Sequence, residues 1–70
     1  MFEFYITVDK DNLSKFFEAF FEEKDGSMIK SSSYDYGEHH ITAVGSEKTY
    51  RRLLQLSGNV IRSLEHFEED

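Results

Sequence analysis

The residues with the clearest chemical character are carboxylates close to residue 70. This acidic end, residues 65–70, contains four acids and one aromatic residue: Glu65, Phe67, Glu68, Glu69 and Asp70. The sequence predicts that it finishes a helix, where the helix dipole makes each carboxylate unfavourable by roughly 0.3–1 kcal/mol. Lys or Arg is expected in such a position. The acids therefore form either a solvated tail that keeps the protein soluble or a surface that binds a basic partner.

Other reactive side chains do not have the spacing that catalysis or metal binding requires. His39 and His40 are adjacent, and adjacent residues of a strand point to opposite faces, so they cannot both ligate one metal ion. Glu22 and Glu23 diverge by about 100° on a helix and do not form a catalytic pair. The sequence contains no nucleophile elbow, phosphate-binding loop or dinucleotide-binding motif. We therefore expect no enzyme activity, no metal site and no cofactor.

Composition predicts a single domain, residues 1–70, near the lower size limit for a stable core. There is no cysteine, so the seven Phe and four Tyr must supply most of the apolar packing. Oligomerisation is another remedy at this size, which leaves a homodimer open. The net charge of -6 argues against direct nucleic-acid binding and favours a basic partner. No stretch resembles a membrane span or a secretory signal, so a cytoplasmic location is expected.

Hydrophobic periodicity predicts an α+β fold in the order β-α-β-β-α. In residues 2–8 every second side chain is apolar, which is typical of a half-buried strand. Residues 13–21 then place Leu and Phe at the i, i+3, i+4 spacing of a helix with one apolar face. Asp9 is its predicted N-cap, and Asp25-Gly26 is predicted to end it. Weaker alternation predicts a hairpin of two further strands, residues 28–36 and 39–44.

The last predicted element is a long helix that begins after Ser46 and continues into the acidic end. Apolar residues from Tyr50 to Phe67 follow a broad helical stripe. Gly58, in the middle of that stripe, leaves open whether the helix is straight, bent or broken. Both helices must cover the same face of the sheet to bury its apolar side chains. The sequence therefore predicts a two-layer domain with a three-stranded sheet, in the order 1-3-2, and two helices on one face.

A second group of carboxylates lies on the first predicted helix. It comprises Glu18, Glu22 and Glu23. With both helices on one face, these acids and the acidic end would lie on one side of the molecule, where they could imitate the phosphates of a nucleic acid. Such a DNA mimic would bind the basic surface of a nucleic-acid-handling protein and inhibit or modulate it, with an affinity that falls steeply with salt.

Residues 41–48, with the sequence ITAVGSEK, end a strand in an apolar residue, a glycine and a small residue before a long amphipathic helix. Together with the β-α-β-β-α order, this run resembles the DinI-like family of small DNA-damage-inducible proteins. The resemblance implies binding to the recombinase RecA through an acidic last helix that imitates single-stranded DNA. The residues it implicates are four acids and an apolar anchor: Glu65, Glu68, Glu69, Asp70 and Phe67. The same small acidic design is similar to phage-encoded, anti-defence inhibitors of nucleases, polymerases and CRISPR complexes.

The alternative is a homodimeric structural or protein-interaction module that acts through an aromatic surface. Tyr34 and Tyr36 are predicted on one face of the second strand, and tyrosine is a common anchor at protein interfaces. Salt-dependent affinity for a basic partner would favour the acidic surface. A tight dimer that hides the tyrosines would favour the module.

Overall fold

The computed structural model describes residues 1–22 and 26–68, in which two helices and four strands confirm the predicted α+β class. The strands are β1 (Phe2–Asp9), β2 (Met28–Asp35), β3 (Glu38–Gly45) and β4 (Ser63–Glu68). The helices are α1 (Leu13–Phe20), which follows a short 3-10 turn at Lys10–Asn12, and α2 (Glu47–Leu56). Neither of these described helices has the length and apolar character needed to cross a membrane.

All strands of the sheet run antiparallel to their neighbours, in the order β2-β3-β1-β4. The three predicted strands are present, and β3 lies between β1 and β2. The prediction of a three-stranded sheet is nevertheless wrong, because β4 pairs with the other side of β1. The succession β-α-β-β-α-β with this strand order is the split β-α-β, or ferredoxin-like, arrangement. It leaves β2 and β4 as the edge strands.

The acidic end begins with a strand where the sequence predicts the end of a helix. α2 ends at Leu56, and the chain reverses through Gly58, whose φ of 84° lies in the left-handed region that glycine adopts without strain. Two backbone hydrogen bonds close the turn: Gly58 N–H donates to the Ile61 carbonyl, and Ile61 N–H donates to the Leu56 carbonyl, both at 2.9 Å. Residues 63–68 then satisfy the backbone groups along one edge of β1, which would otherwise have no strand partner.

Both helices pack on one face of the sheet, as predicted. β1 contributes Phe4, Ile6 and Val8, every second residue, to a fully buried apolar core. The other core residues come from both helices, from β3 and from the turn before β4: Phe16, Phe20, Ile41, Ala43, Leu53 and Ile61. The opposite face of the sheet carries no helix within residues 1–22 and 26–68. That face is a regular surface on which the described residues could bind a partner.

The start of α2 depends on a close approach between Gly45 and the helix. Ser46 is the N-cap residue, as predicted, and its backbone N–H donates to Thr49 Oγ1 at 3.2 Å within a capping box. Thr49 is fully buried. A Cβ atom on Gly45 would lie only 2.5 Å from Thr49 Oγ1, so glycine is needed here for space.

Asp9 does not have its predicted role as the N-cap of the first helix. It precedes the 3-10 turn, makes no side-chain cap hydrogen bond, and α1 is preceded by Asn12 instead. The Asp9 carboxylate lies 3.3 Å from Arg62 Nη1, and the same nitrogen lies 3.0 Å from Glu38 Oε2. Arg62 therefore connects the end of β1, the start of β3 and the segment before β4.

Candidate binding surfaces

The face of the sheet opposite the helices, called the open face here, carries a shallow polar groove. Strand pairing places Thr42 and Glu65 on either side of Tyr5, and His40 and Ser63 on either side of Thr7. The groove has a volume of about 410 Å³. The residues that line it carry hydroxyls, one imidazole and one carboxylate, and include two isoleucines whose side chains face the core: Tyr5, Ile6, Thr7, Ser31, Ser32, Ser33, His40, Ile41, Thr42, Ser63 and Glu65. The groove can therefore accept or donate many hydrogen bonds.

One corner of the open face combines two aromatic rings with two carboxylates. Tyr5 lies directly opposite Glu65 in the β1–β4 pairing, and Glu3 lies opposite Phe67. The rings of Tyr5 and Phe67 are 5.4 Å apart at 68°, an edge-to-face contact, and they remain 42% and 51% exposed. The Tyr5 hydroxyl donates to Glu3 Oε2 at 2.9 Å, which restrains the ring. Phe67 thus lies beside Glu3, which is not one of the predicted acids, and packs on Tyr5, which the sequence did not single out.

The predicted acidic residues do not lie together on one helical surface. Because residues 63–68 form a strand, Glu65 faces the open side of the sheet and Glu68 faces the helix side. Glu18 belongs to α1 in the helix layer, and Glu22 follows the end of that helix. The prediction that the polar sides of two helices together present one carboxylate surface is therefore wrong. The remaining predicted acids lie outside the described residues: Glu23, Glu69 and Asp70.

The course of the chain directs two of the predicted acids towards the same end of the sheet. Glu68 pairs with Phe2, at the start of β1. α1 leads from the far end of β1 towards β2, whose first residue, Met28, pairs with Val44 near that same start. The segment that follows α1, including Glu22, therefore approaches this end. We call Glu22 and Glu68 the acidic rim.

Ion pairing divides the described acids into two groups. Lys30 pairs with Glu3 at 2.7 Å, Arg51 pairs with Glu47 at 3.3 Å, and Arg62 pairs with both Asp9 and Glu38. Within residues 1–22 and 26–68, six acids have no ion pair: Asp11, Glu18, Glu22, Asp35, Glu65 and Glu68. All the predicted site acids that the structure describes belong to this second group. Their charge is available to a partner.

The β2–β3 hairpin presents Tyr36 at its tip. Tyr36 is 96% exposed and has a φ of 48°, and the following Gly37 has a φ of 82°. Two central residues with positive φ are the requirement of a type I′ turn, where Asn-Gly is preferred. Tyr34 lies on β2, with its ring 4.9 Å from that of His39, so the two tyrosines do not share one face of a strand as predicted. Lys10 N–H donates to the Gly37 carbonyl at 3.0 Å and holds the tip against the 3-10 turn.

The two adjacent histidines face opposite sides of the sheet. His39 lies beside Val8 and Tyr34, on the helix side, and His40 Nδ1 lies 3.5 Å from Thr7 Oγ1 on the open face. In the part of the chain that the structure describes, no three His, Asp or Glu side chains form a group that could hold a metal ion.

Sequence reasoning did not find the groove. Its serines and threonines come from four strands, and only the strand register brings them together. The available signal was the polar half of each alternating strand, such as Thr42 between Ile41 and Ala43. A correct prediction of β4 would have been needed to add Ser63 and Glu65.

Comparison with known proteins does not assign the chain to a family. No protein-family model matches it, and no curated protein matches it. The chemistry of its surfaces is therefore the basis for inferring its function.

Proposed function

We propose that this chain is a non-enzymatic acidic protein that binds the basic surface of a nucleic-acid-handling protein and inhibits or modulates it. The observation that carries the proposal is the division of the acids. Glu18, Glu22, Glu65 and Glu68 have no ion pair among the described residues, whereas other acids of the sheet are neutralised by Lys or Arg. Unpaired carboxylates attract a basic partner at long range and orient its approach.

The net charge of -6 limits the classes of partner. A polyanion such as DNA would be repelled, whereas a protein that binds DNA presents Lys and Arg that are already arranged to neutralise phosphates. An acidic surface that occupies such a site acts as a DNA mimic. The resemblance at residues 41–48 favours a RecA-type recombinase as the partner. The small acidic design, which is also similar to phage-encoded inhibitors, favours a nuclease, polymerase or CRISPR complex.

The position of the acids on a strand changes which carboxylates could imitate phosphates together. Glu65 and Glu68 point to opposite faces of β4, so a flat partner surface cannot contact both carboxylates at once. The acidic rim, Glu22 and Glu68, can contact a basic surface at one end of the sheet. Glu65 can contact a group that projects onto the open face.

The test is capture of partners from cell lysate by immobilised protein, followed by elution with increasing NaCl and by competition with single-stranded DNA. Three proteins are compared: wild type, Glu22→Gln/Glu68→Gln at the acidic rim, and Asp11→Asn/Asp35→Asn. The last is a matched control, because it also removes two unpaired carboxylates but at the opposite end of the sheet.

We expect wild type and control to retain a nucleic-acid-binding protein that single-stranded DNA displaces. Capture should weaken between about 0.05 and 0.2 M NaCl, because contacts with a polyanion-binding site are salt-dependent. The Glu22→Gln/Glu68→Gln variant should retain much less of it. Equal capture by all three proteins, unaffected by salt and DNA, would refute the proposal.

A second function, a protein-interaction or homodimerisation module, is supported by Tyr36. A fully exposed tyrosine in a left-handed turn is unfavourable both for solvation and for the backbone, and such outliers often occur at binding sites. Sedimentation velocity at two protein concentrations tests this function. A concentration-dependent dimer that Tyr36→Asn abolishes would support it, and a monomer at both concentrations would contradict the dimer.

A further inference from the structure

We propose that the open face carries a recognition site for the guanidinium group of an arginine on the partner protein. The site consists of Glu65, Tyr5 and Phe67, at one corner of the polar groove. This inference rests on the proposed function, since it takes the partner to be a basic protein. It adds the chemical group that is recognised and a residue, Tyr5, that the acidic surface alone does not include.

The three side chains lie on adjacent strands and on one face of the sheet. Tyr5 is the register partner of Glu65, and Phe67 follows Glu65 by two residues, so it projects in the same direction. The ring contact at 5.4 Å and 68° sets the two aromatic planes at a steep angle to each other. A flat cation can therefore lie against one ring while its edge faces the carboxylate.

The electrostatics of the groove favour a cation. Glu65 is the one carboxylate in the lining and has no ion pair within residues 1–22 and 26–68, and no Lys or Arg side chain lines the groove. A phosphate or nucleic acid would find no Lys or Arg among the lining residues, and Lys30, which reaches Glu3 at this corner, is paired with that carboxylate at 2.7 Å. The faces of Tyr5 and Phe67 add a favourable interaction with a cation placed over either ring.

Arginine fits this corner better than lysine. A guanidinium is planar, stacks on aromatic rings and donates two parallel hydrogen bonds to one carboxylate, whereas an ammonium is a compact and strongly hydrated charge. The Ser63 hydroxyl lies on the same strand and face, two residues before Glu65, where it can accept a further N–H. The groove extends the site across the sheet for the partner's flanking backbone.

The experiment is an NMR titration of the ¹⁵N-labelled full chain with three capped tripeptides, Gly-Arg-Gly, Gly-Lys-Gly and Gly-citrulline-Gly. Citrulline has the shape of arginine without its charge. We expect the arginine peptide to shift the amide signals of residues 5–7 and 63–67, the lysine peptide to bind more weakly, and the citrulline peptide to give no shifts.

Single variants locate the site, with circular dichroism to confirm that each is folded. Glu65→Gln should weaken binding of the arginine peptide about tenfold or more, as expected for loss of a charged hydrogen-bond acceptor. Phe67→Leu should weaken it about threefold, the effect of an exposed cation–π contact. Asp35→Asn is the matched control for charge and should leave affinity unchanged.

The outcomes separate this inference from the proposed function. Equal binding of the arginine peptide by wild type and Glu65→Gln overturns the guanidinium site. The proposed function still stands in that case if the acidic rim variant loses its DNA-displaceable partner. If neither cationic peptide shifts any signal, and capture from lysate is insensitive to salt, both the site and the proposed function are refuted.

Discussion

Replacement of Tyr36 by Asn should stabilise the domain, although it removes a large aromatic side chain. Tyr36 has a φ of 48°, and a left-handed backbone costs an ordinary L-residue roughly 1–2 kcal/mol. Asn adopts this region more easily, and Asn-Gly is the preferred pair for a type I′ turn. The Tyr36 side chain is 96% exposed, so its loss removes almost no packing. We expect a gain of about 1 kcal/mol in the free energy of unfolding.

Thermal unfolding followed by circular dichroism measures this gain. For a domain of this size, 1 kcal/mol corresponds to a rise in Tm of roughly 4–8 °C. Tyr34→Asn is the matched control, because the same change on β2 removes a ring contact with His39 and relieves no left-handed residue. That variant should have an unchanged or lower Tm. A Tm of Tyr36→Asn at or below that of wild type would refute the argument from backbone strain.

The remaining predictions concern two contacts that hold the elements together. Gly45→Ala should lower the free energy of unfolding by about 1–3 kcal/mol, since its Cβ would lie 2.5 Å from Thr49 Oγ1 in a buried contact. An unchanged midpoint of urea unfolding would contradict this. Arg62→Met should lower the free energy of unfolding by less than about 1 kcal/mol, because Arg62 and Asp9 are solvent-exposed and Glu38 is partly exposed. The Arg62→Met difference should shrink in about 1 M NaCl, and a difference that persists there would show that the pairs are not its origin.

The local elements of the fold could be predicted from the sequence. The alternation of residues 2–8 predicted β1, and the Phe spacing of residues 13–21 predicted α1. The predicted end of that helix, at Asp25-Gly26, is wrong, because α1 ends at Phe20. Both patterns are strong and involve residues close in sequence, and the tertiary packing favours the same elements. The N-cap of α2, Ser46, could likewise be predicted from neighbouring residues alone.

β4 could not be predicted in this way. Leu64 and Phe67 fit the helical stripe that starts in α2, and they also fit a strand in which they face opposite sides. Two features favour the strand over a continued helix: Gly58, where the chain turns after α2, and the free edge of β1, which lies far away in sequence. Helical periodicity carries no information about an unpaired edge elsewhere.

The candidate site was predictable in its chemistry and not in its geometry. The carboxylates were recognised by type, because Lys or Arg is expected at the end of a helix, which is where the sequence placed these acids. Their separation onto two faces follows from the strand period of β4, so Glu65 and Glu68 diverge. The partnership of Glu65 with Tyr5 depends on pairing between strands at opposite ends of the described chain.

The central position of β1 has a consequence for how the chain folds. β1 is the first strand in sequence, yet its partners, β3 and β4, come much later, with Phe2 opposite Gly45 and Glu68. Loop-closure entropy must be overcome before these pairings contribute, so folding should be slow relative to helix formation. Until β3 arrives, the segment FEFYITV has two unpaired edges and an uncovered aromatic face. Refolding yield should therefore fall as protein concentration rises, with association beginning at this segment.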